Sequence, residues 1–156
     1  MLPSDKSRII ELFDDFCDLY VELDAQKICI NTPKLAKECL IDMEKKIKKN
    51  KGKVIVAVDN NIVIGFIGFI VKDTKGPELL YHRPNKHGTI LNLYVDGTYR
   101  NQNIGTHLLN LAEEYMKKES CEFSRLDEVF GTNIKAQQFY LGKDYAIRHV
   151  QMIKKL

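Results

Sequence analysis

The chain has 156 residues, a length that suits one domain and leaves little room for a second. Its 24 basic and 21 acidic side chains leave a net charge of only +3. A nucleic-acid-binding domain needs Lys and Arg gathered on one face. Here the charges interleave, apart from a Lys-rich run at residues 45–53 that we interpret as a solvated helix end. The composition, 44% hydrophobic and 29% charged, excludes disordered and fibrous classes.

The N-terminus and the cysteines indicate a reduced, cytoplasmic setting. No positive stretch followed by an apolar one opens the chain, and no apolar run is long enough to cross a bilayer. We therefore expect no membrane partner. The four cysteines, at positions 17, 29, 39 and 121, form no C-x-x-C pair and show no zinc-ligand spacing. The sequence thus predicts no metal site.

Two amphipathic helices are predicted first. Apolar residues recur at three- and four-residue steps from Ile9 to Leu23, with Ser4 or Asp5 as the cap. A second stripe, from Leu35 to Ile47, follows Thr32-Pro33, which resembles a hydroxyl cap with proline at the first helical position.

The pattern then changes to strands. The runs at 54–58 and 62–71 flank the turn Asp59-Asn60-Asn61 and predict a hairpin. The second run is apolar on both faces, which is typical of a strand in the sheet interior. Gly65 and Gly68 interrupt it and indicate a bulge or a close backbone approach.

The rest of the chain alternates strands and helices. After a long polar connection at 72–88, we predict strands at 89–95, 123–130 and 145–153, and helices at 103–118 and 133–141. The predicted fold class is α/β (α+β), a mixed sheet with about four packed helices, in a single domain over residues 1–156.

One segment carries a chemical signal. From Leu93 to Thr106 a strand enters a tight polar loop and continues directly into the strongest predicted helix. The first turn of a helix carries unpaired N–H groups and partial positive charge, so it can bind an anion. Asn103 and Gly105 suit a close approach of the backbone, since both residue types tolerate a left-handed conformation. The same pattern is also common as a purely structural connection.

The segment from Arg100 to Gly105, Arg-Asn-Gln-Asn-Ile-Gly, resembles the R/Q-x-x-G-x-G/A signature of the GNAT N-acetyltransferase superfamily. Downstream, residues 133–140 resemble the family's N-x-x-A-x-x-F-Y segment. Tyr145 and Met152 resemble the aromatic and the Met of the family's last strand. The likeness covers residues 54–156 in the family's order.

The resemblance implies a GNAT-type fold: a twisted, mostly antiparallel mixed sheet that is splayed at the cofactor cleft. It implies that acetyl-coenzyme A (acetyl-CoA) is the co-substrate, without a metal. It also implies transfer of the acetyl group by direct attack of an amine, either a small molecule or a peptide or protein. Dimers are common among relatives, so a homodimer is one expectation for the assembly.

The resemblance further implies residue roles. Backbone groups of the strand residues would pair with the pantetheine arm, the loop and helix start would hold the diphosphate, and Tyr140 would protonate the departing thiolate. Without the resemblance, Tyr140 could be a core aromatic and Asn133 a helix cap. The implied cofactor-binding residues are Leu93, Tyr94, Val95, Arg100, Asn101, Gln102, Asn103, Ile104, Gly105, Thr106 and Asn133.

Two departures from the family pattern affect the function. Asn103 replaces the first Gly of the signature, which adds bulk near the phosphates. Asn92 stands on the strand where many relatives carry a basic carboxylate, and an amide cannot take a proton. The candidates for the base are then Glu78, His82, His87 or a relayed water. A non-catalytic acetyl-CoA-binding regulatory module is the alternative function.

Overall fold

The computed structural model describes residues 5–155. Four α-helices and one four-stranded sheet follow the predicted order, except at the end of the chain. Two short 3₁₀ helices, Gly76–Leu80 and Gly97–Tyr99, lie in connections. The elements are α1 Lys6–Leu23, α2 Leu35–Lys49, β1 Lys51–Asp59, β2 Ile62–Asp73, β3 Lys86–Val95, α3 Ile104–Lys118, β4 Phe123–Leu126 and α4 Ile134–Leu141.

The sheet has the order β1-β2-β3-β4. The pairs β1–β2 and β2–β3 are antiparallel, and β4 runs parallel to β3. The predicted mixed and mostly antiparallel sheet is therefore confirmed. The predicted hairpin between the first two strands is also confirmed, with Asn60 and Asn61 at φ values of 47° and 64°. Two successive positive φ values are the requirement of a type I′ turn.

Helices cover both faces of the sheet. Phe66 of β2 faces α1, where its ring centroid lies 4.7 Å from that of Phe13. Phe69 faces α3 and lies 5.3 Å from the ring of Tyr115. Both phenylalanines of β2 are fully buried, as expected for a strand that is apolar on both faces. The central strand β2 thus joins two apolar layers into the core.

A bulge opens the sheet between β3 and β4. In the register between β2 and β3, Gly68 pairs with Asn92 and Phe69 with Ile90, so Leu91 is an extra residue on β3. Such a residue bends its strand. The pairing of β3 with β4 ends at Ile90, whereas β3 continues to Val95. The last part of β3 therefore has a free edge, which is the splay that the resemblance implied.

The predictions for the last strands are wrong. The strand expected at 123–130 is only four residues long, and residues 145–155 form no strand within the described chain. A strand needs a neighbouring edge to satisfy the hydrogen bonds of its backbone, and the 145–155 segment does not pair with one in this structure.

At the N-terminal end of the described chain, Asp5 occupies the N-cap position of α1, and Ser4 lies outside the described residues. The second helix begins at Leu35, two residues after the predicted proline.

None of the helices between residues 5 and 155 combines the length and the apolar character that a membrane span requires.

Candidate active site

A cleft of about 1240 Å³ lies where β3 and β4 diverge. Its floor is the free end of β3, and its walls come from α1, α2, the start of α3, the residues after β4, and α4. The cleft exists because the Leu91 bulge ends the pairing of the two strands. The side chains that line it include Tyr20, Tyr94, Arg100, Glu128, Asn133 and Tyr140.

The loop before α3 carries a row of backbone N–H groups, and the residues from 101 to 106, except Gln102, line this cleft. Asn101 and Asn103 adopt left-handed conformations, with φ values of 64° and 62°. Asn103 is the N-cap residue, but its side chain does not cap the helix. Among the described residues, the N–H groups of residues 101–106 find no hydrogen-bond acceptor. Successive unpaired N–H groups in a turn at a helix start form an anion-binding concavity.

Gly105 contributes space rather than an unusual backbone conformation. It lies in the first turn of α3, and its φ is not positive, so a close approach of a ligand to its backbone would depend on its small size. A Cβ built there would lie 3.8 Å from Phe139 and from Val95, which is ordinary contact distance. A methyl group would therefore fit, whereas a longer side chain would have to extend towards the cleft.

Asp96 connects the polar loop between β3 and α3 to both β2 and α1. Its backbone N–H donates to Ile64 O at 2.9 Å, and its carboxylate accepts from the N–H and the hydroxyl of Thr98 at 3.0 and 2.7 Å. The guanidinium of Arg8, on α1, donates to the same carboxylate at 2.5 Å. Sequence reasoning missed Arg8 and Asp96, because no local pattern reports a contact over 88 residues.

Along the free edge of β3, the backbone N–H and C=O groups of every second residue point away from β2. Because Asp96 N–H points to β2, the carbonyl of Val95 on the same peptide points away from β2. Residues two apart on a strand point the same way, so Leu93 and Val95 face the open edge. The backbone of Tyr94 faces β2, and its mostly buried ring is what reaches the cleft.

Arg100 folds back over the end of β3. Its Nε donates to Val95 O at 3.1 Å, and its guanidinium carbon lies 5.3 Å from the centroid of the Tyr94 ring. The guanidinium thus lies at the junction of the free strand edge and the N–H row. This position combines a cation with the unpaired backbone donors that the anion site needs.

Two of the predicted site residues, Asn133 and Tyr140, line the cleft from the α4 side. Asn133 is the N-cap of α4, and its Oδ1 accepts from the N–H of Ala136 at 3.1 Å. Asn133 therefore caps the helix. Its Nδ2 makes no hydrogen bond to the rest of the described chain. Tyr140 lies at the other end of the helix, between the rings of Phe139 and Tyr145 at 5.1 and 5.4 Å.

The environment of Tyr140 keeps its hydroxyl protonated. Burial, with a smaller contribution from Tyr20, raises the pKa of Tyr140 above its ordinary value. Its hydroxyl has no hydrogen-bond partner among residues 5–155. The neighbouring Tyr145 differs, because its hydroxyl is 2.6 Å from Ser124 Oγ and 2.8 Å from Glu113 Oε1. One tyrosine is thus free to donate a proton, and the other is fixed within the structure.

The three side chains considered as the base, Glu78, His82 and His87, do not line the cleft. His87 is buried at the start of β3, where burial lowers its pKa and its Nδ1 lies 3.2 Å from Asn85 Oδ1. Asn92 does line the cleft, as its position on the strand predicts.

Three carboxylates line the cleft instead: Asp42, Asp127 and Glu128. Asp127 lies 3.5 Å from the guanidinium of Arg125. Burial, and after it the charge of Glu128, raises the pKa of Tyr20 to about 12. Glu128 is therefore an acidic group close to the cleft tyrosine of α1, which sequence reasoning missed because it lies beyond the recognisable motifs.

Between residues 5 and 155, no group of three or more His, Cys, Asp or Glu side chains could hold a metal ion.

Comparison with known proteins identifies the family and the fold of the chain. The family model of the GNAT acetyltransferases matches residues 12–143. A variant of the BH1408 protein from Bacillus halodurans is 21% identical, with 98% of this chain and 94% of that chain covered and a TM-score of 0.82. Glucosamine-6-phosphate N-acetyltransferase from Arabidopsis thaliana is 16% identical, with 99% and 94% covered and a TM-score of 0.68.

A further solved structure, the aminoglycoside 6'-N-acetyltransferase from Acinetobacter haemolyticus, is 15% identical, with 100% and 96% covered and a TM-score of 0.66. At these identities the three structures show a shared fold. No curated protein sequence matched the chain. The family model, however, covers well over half of the residues and includes the loop, the free strand edge and α4. The chain therefore belongs to the GNAT acetyltransferase family and is an acetyltransferase.

Proposed function

We propose that this protein transfers the acetyl group of acetyl-CoA to an amine by direct attack, without a covalent enzyme intermediate. The observation that carries the proposal is the row of unpaired N–H groups at residues 101–106, which lies beside the free edge of β3. Unpaired N–H groups can bind a diphosphate, and a free strand edge can pair with an extended arm that carries amide groups. Both occur in one cleft.

The residues present fit coenzyme A. Backbone N–H groups of residues 101–106 would bind the diphosphate, with the guanidinium of Arg100 beside them. The backbone of Leu93 and Val95 would pair with the amides of the pantetheine arm, as an added strand does. For this pairing, Arg100 would release the Val95 carbonyl, which it contacts at 3.1 Å. The free Nδ2 of Asn133 is a further donor on the opposite wall.

Backbone N–H groups of β3 and the Tyr140 hydroxyl would support the reaction. Acetyl-CoA supplies the acetyl group as a thioester, which an uncharged amine can attack. The N–H groups at the free edge of β3, from Leu93 and Val95, are the donors for the carbonyl oxygen as it gains negative charge. Tyr140 remains protonated because burial raises its pKa, so it can give its proton to the departing sulfur.

A proton must also leave the amine, because most amines are charged at neutral pH. We assign this role to Glu128, a carboxylate that lines the cleft near Tyr20. Its negative charge would also attract the cationic form of the acceptor. Glu78, His82 and His87 are less suitable, because they lie outside the cleft lining.

The test is a titration with coenzyme A followed by an assay of thiol release. We expect coenzyme A to bind, and acetyl-CoA to release free thiol when a suitable amine is added from a panel of aminoglycosides, polyamines and peptides. Failure to bind coenzyme A would refute the proposal. Binding without thiol release across the panel would support the non-catalytic regulatory module instead.

A further inference from the structure

The wall of the cleft that α1, α2 and their connection form is almost entirely apolar. Among its described residues only Asp42 and Lys46 are charged, and they form an ion pair with each other at 2.7 Å. Ile30, in the connection, is apolar and yet 70% exposed. Apolar side chains that remain in contact with water gain free energy when a ligand covers them. The apolar residues of this wall include Phe16, Leu19, Tyr20, Leu23, Ile30 and Leu35.

A row of aromatic rings crosses this wall from the free edge of β3. The centroid of the Phe16 ring lies 5.9 Å from that of Tyr94 and 4.5 Å from that of Tyr20. Tyr20 continues the row to Phe130, at 4.9 Å, in the segment after β4. The hydroxyl of Thr132 in the same segment donates to the last carbonyl of α1, which ties the segment to the wall. Aromatic rings of this kind bind apolar groups and attract cations.

Glu128 places one negative charge beside this row. After burial, its charge contributes to the raised pKa of Tyr20, and Tyr20 makes a smaller contribution than burial to the raised pKa of Tyr140. Tyr20 is therefore close to both the proposed base and the proposed acid. Glu128 has no hydrogen-bond or ion-pair partner between residues 5 and 155, whereas the neighbouring Asp127 lies 3.5 Å from Arg125. An acceptor in this half of the cleft thus meets one carboxylate without a cation.

These features argue against four classes of amine. An aminoglycoside or amino sugar would lose water from its hydroxyl groups against a wall with few hydrogen-bonding partners. A polyamine carries several cations, but only one carboxylate is available to them. A phosphorylated amine needs a cation, and Lys46 is already paired with Asp42. A peptide would bury backbone N–H and C=O groups against the same wall.

We propose that the acceptor is a small primary monoamine whose body is apolar or aromatic. This inference rests on the proposed acetyl transfer and names the class of its acceptor. Glu128 would hold the ammonium group beside Tyr20, and the apolar body would cover the ring row and Ile30. Overall, an alkylammonium ion and acetyl-CoA give an N-alkylacetamide, free coenzyme A and one proton, and the N–C bond forms as the C–S bond breaks.

Thiol release from acetyl-CoA with defined amines tests the acceptor class. We expect kcat/KM for 2-phenylethylamine to exceed that for spermidine, kanamycin, glucosamine 6-phosphate and the peptide Phe-Gly-Gly by about tenfold or more. In the series from propylamine to hexylamine, kcat/KM should rise roughly two- to fourfold with each methylene group, because each is removed from water.

The outcomes separate this inference from the proposed function. A flat alkylamine series, or a higher kcat/KM for any of the other four amines, would overturn the inference and leave acetyl transfer in place. Failure to bind coenzyme A, or binding without thiol release from any amine, would refute both.

Two isoleucines of the α1–α2 connection form a matched pair of test positions. Ile30 lines the cleft, whereas Ile28, which is 65% exposed, does not. Ile30→Gln should raise KM for 2-phenylethylamine about fivefold and leave kcat nearly unchanged, because the apolar contact is the same in the ground state and the transition state. Ile28→Gln should match the wild type, and both variants should keep the affinity for coenzyme A. Equal KM values in the two variants would overturn the assignment of this wall to the acceptor.

Discussion

Arg8 and Asp96 form an ion pair of 2.5 Å between the first helix and the loop that leads to α3. The two residues are 88 positions apart. The Nε of Arg8 also donates to Val63 O at 3.2 Å, so one side chain ties α1 to both β2 and the loop. The position of the loop before α3 thus depends on a residue outside the family motifs.

Replacing Arg8 with Met should destabilise the fold. The variant keeps the apolar stem but leaves the Asp96 carboxylate without its cation and Val63 O without a donor. Because the pair is mostly shielded from solvent, we expect the free energy of unfolding to fall by about 1–2 kcal/mol, measured by urea denaturation. Arg83→Met is the control, since its pair with Glu122 is more exposed and should contribute little. Equal losses in both variants would contradict the assigned role.

Asp96 should make stability depend on pH. Hydrogen bonds from Thr98, followed by the charge of Arg8, hold the pKa of Asp96 below its ordinary value. A carboxylate of this kind stabilises the fold above its unfolded pKa of about 3.9, and the stabilisation is lost as the pH falls through the folded pKa. The difference in unfolding free energy between wild type and Asp96→Asn should therefore be largest between pH 5 and 7 and shrink below pH 4. A difference that stays constant down to pH 3 would show that Asp96 acts only by packing.

Tyr140→Phe tests the proposed acid. Loss of the hydroxyl should lower kcat about 100-fold and leave the affinity for acetyl-CoA unchanged, because only the leaving-group proton is affected. Tyr145→Phe is the matched control. It removes contacts with Ser124 and Glu113 and should reduce stability by about 1–2 kcal/mol without a comparable change in kcat. If the two variants have the same kcat, Tyr140 is a packing residue.

Substitutions of Gly105 test the diphosphate site. Gly105→Ala should retain the fold and most of the affinity for coenzyme A, because a Cβ there makes only ordinary contacts. Gly105→Glu should abolish binding by bulk and by repulsion of the phosphates, while Gly105→Gln separates the two effects. Isothermal titration with coenzyme A measures all three. Tight binding by the Glu variant would place the diphosphate elsewhere.

Glu128→Gln tests the proposed base. The variant should lower kcat/KM for the amine at neutral pH, and raising the pH should restore part of the rate by supplying uncharged amine. Its affinity for acetyl-CoA should not change. Glu78→Gln makes the same chemical change outside the cleft and should match the wild type. An unchanged pH–rate profile in Glu128→Gln would exclude this role.

The local parts of the fold could be read from the sequence because neighbouring residues determine them. The turn at Asn60 and Asn61 requires residues that tolerate positive φ, and the apolar stripe of α3 has helical periodicity. The loop from Arg100 to Gly105 carries a motif whose residues are contiguous. The fold class and the family could therefore be predicted without the structure.

The tertiary structure alone decided the features that need distant partners. The bulge at Leu91, the pair of Arg8 with Asp96 and the exclusion of His87 from the cleft depend on which strands and helices become neighbours. The last predicted strand failed for the same reason, because alternating apolar residues specify an extended segment but not the edge that completes it. Periodicity reports the local environment of a residue, whereas a binding site is set by contacts between elements far apart in the chain.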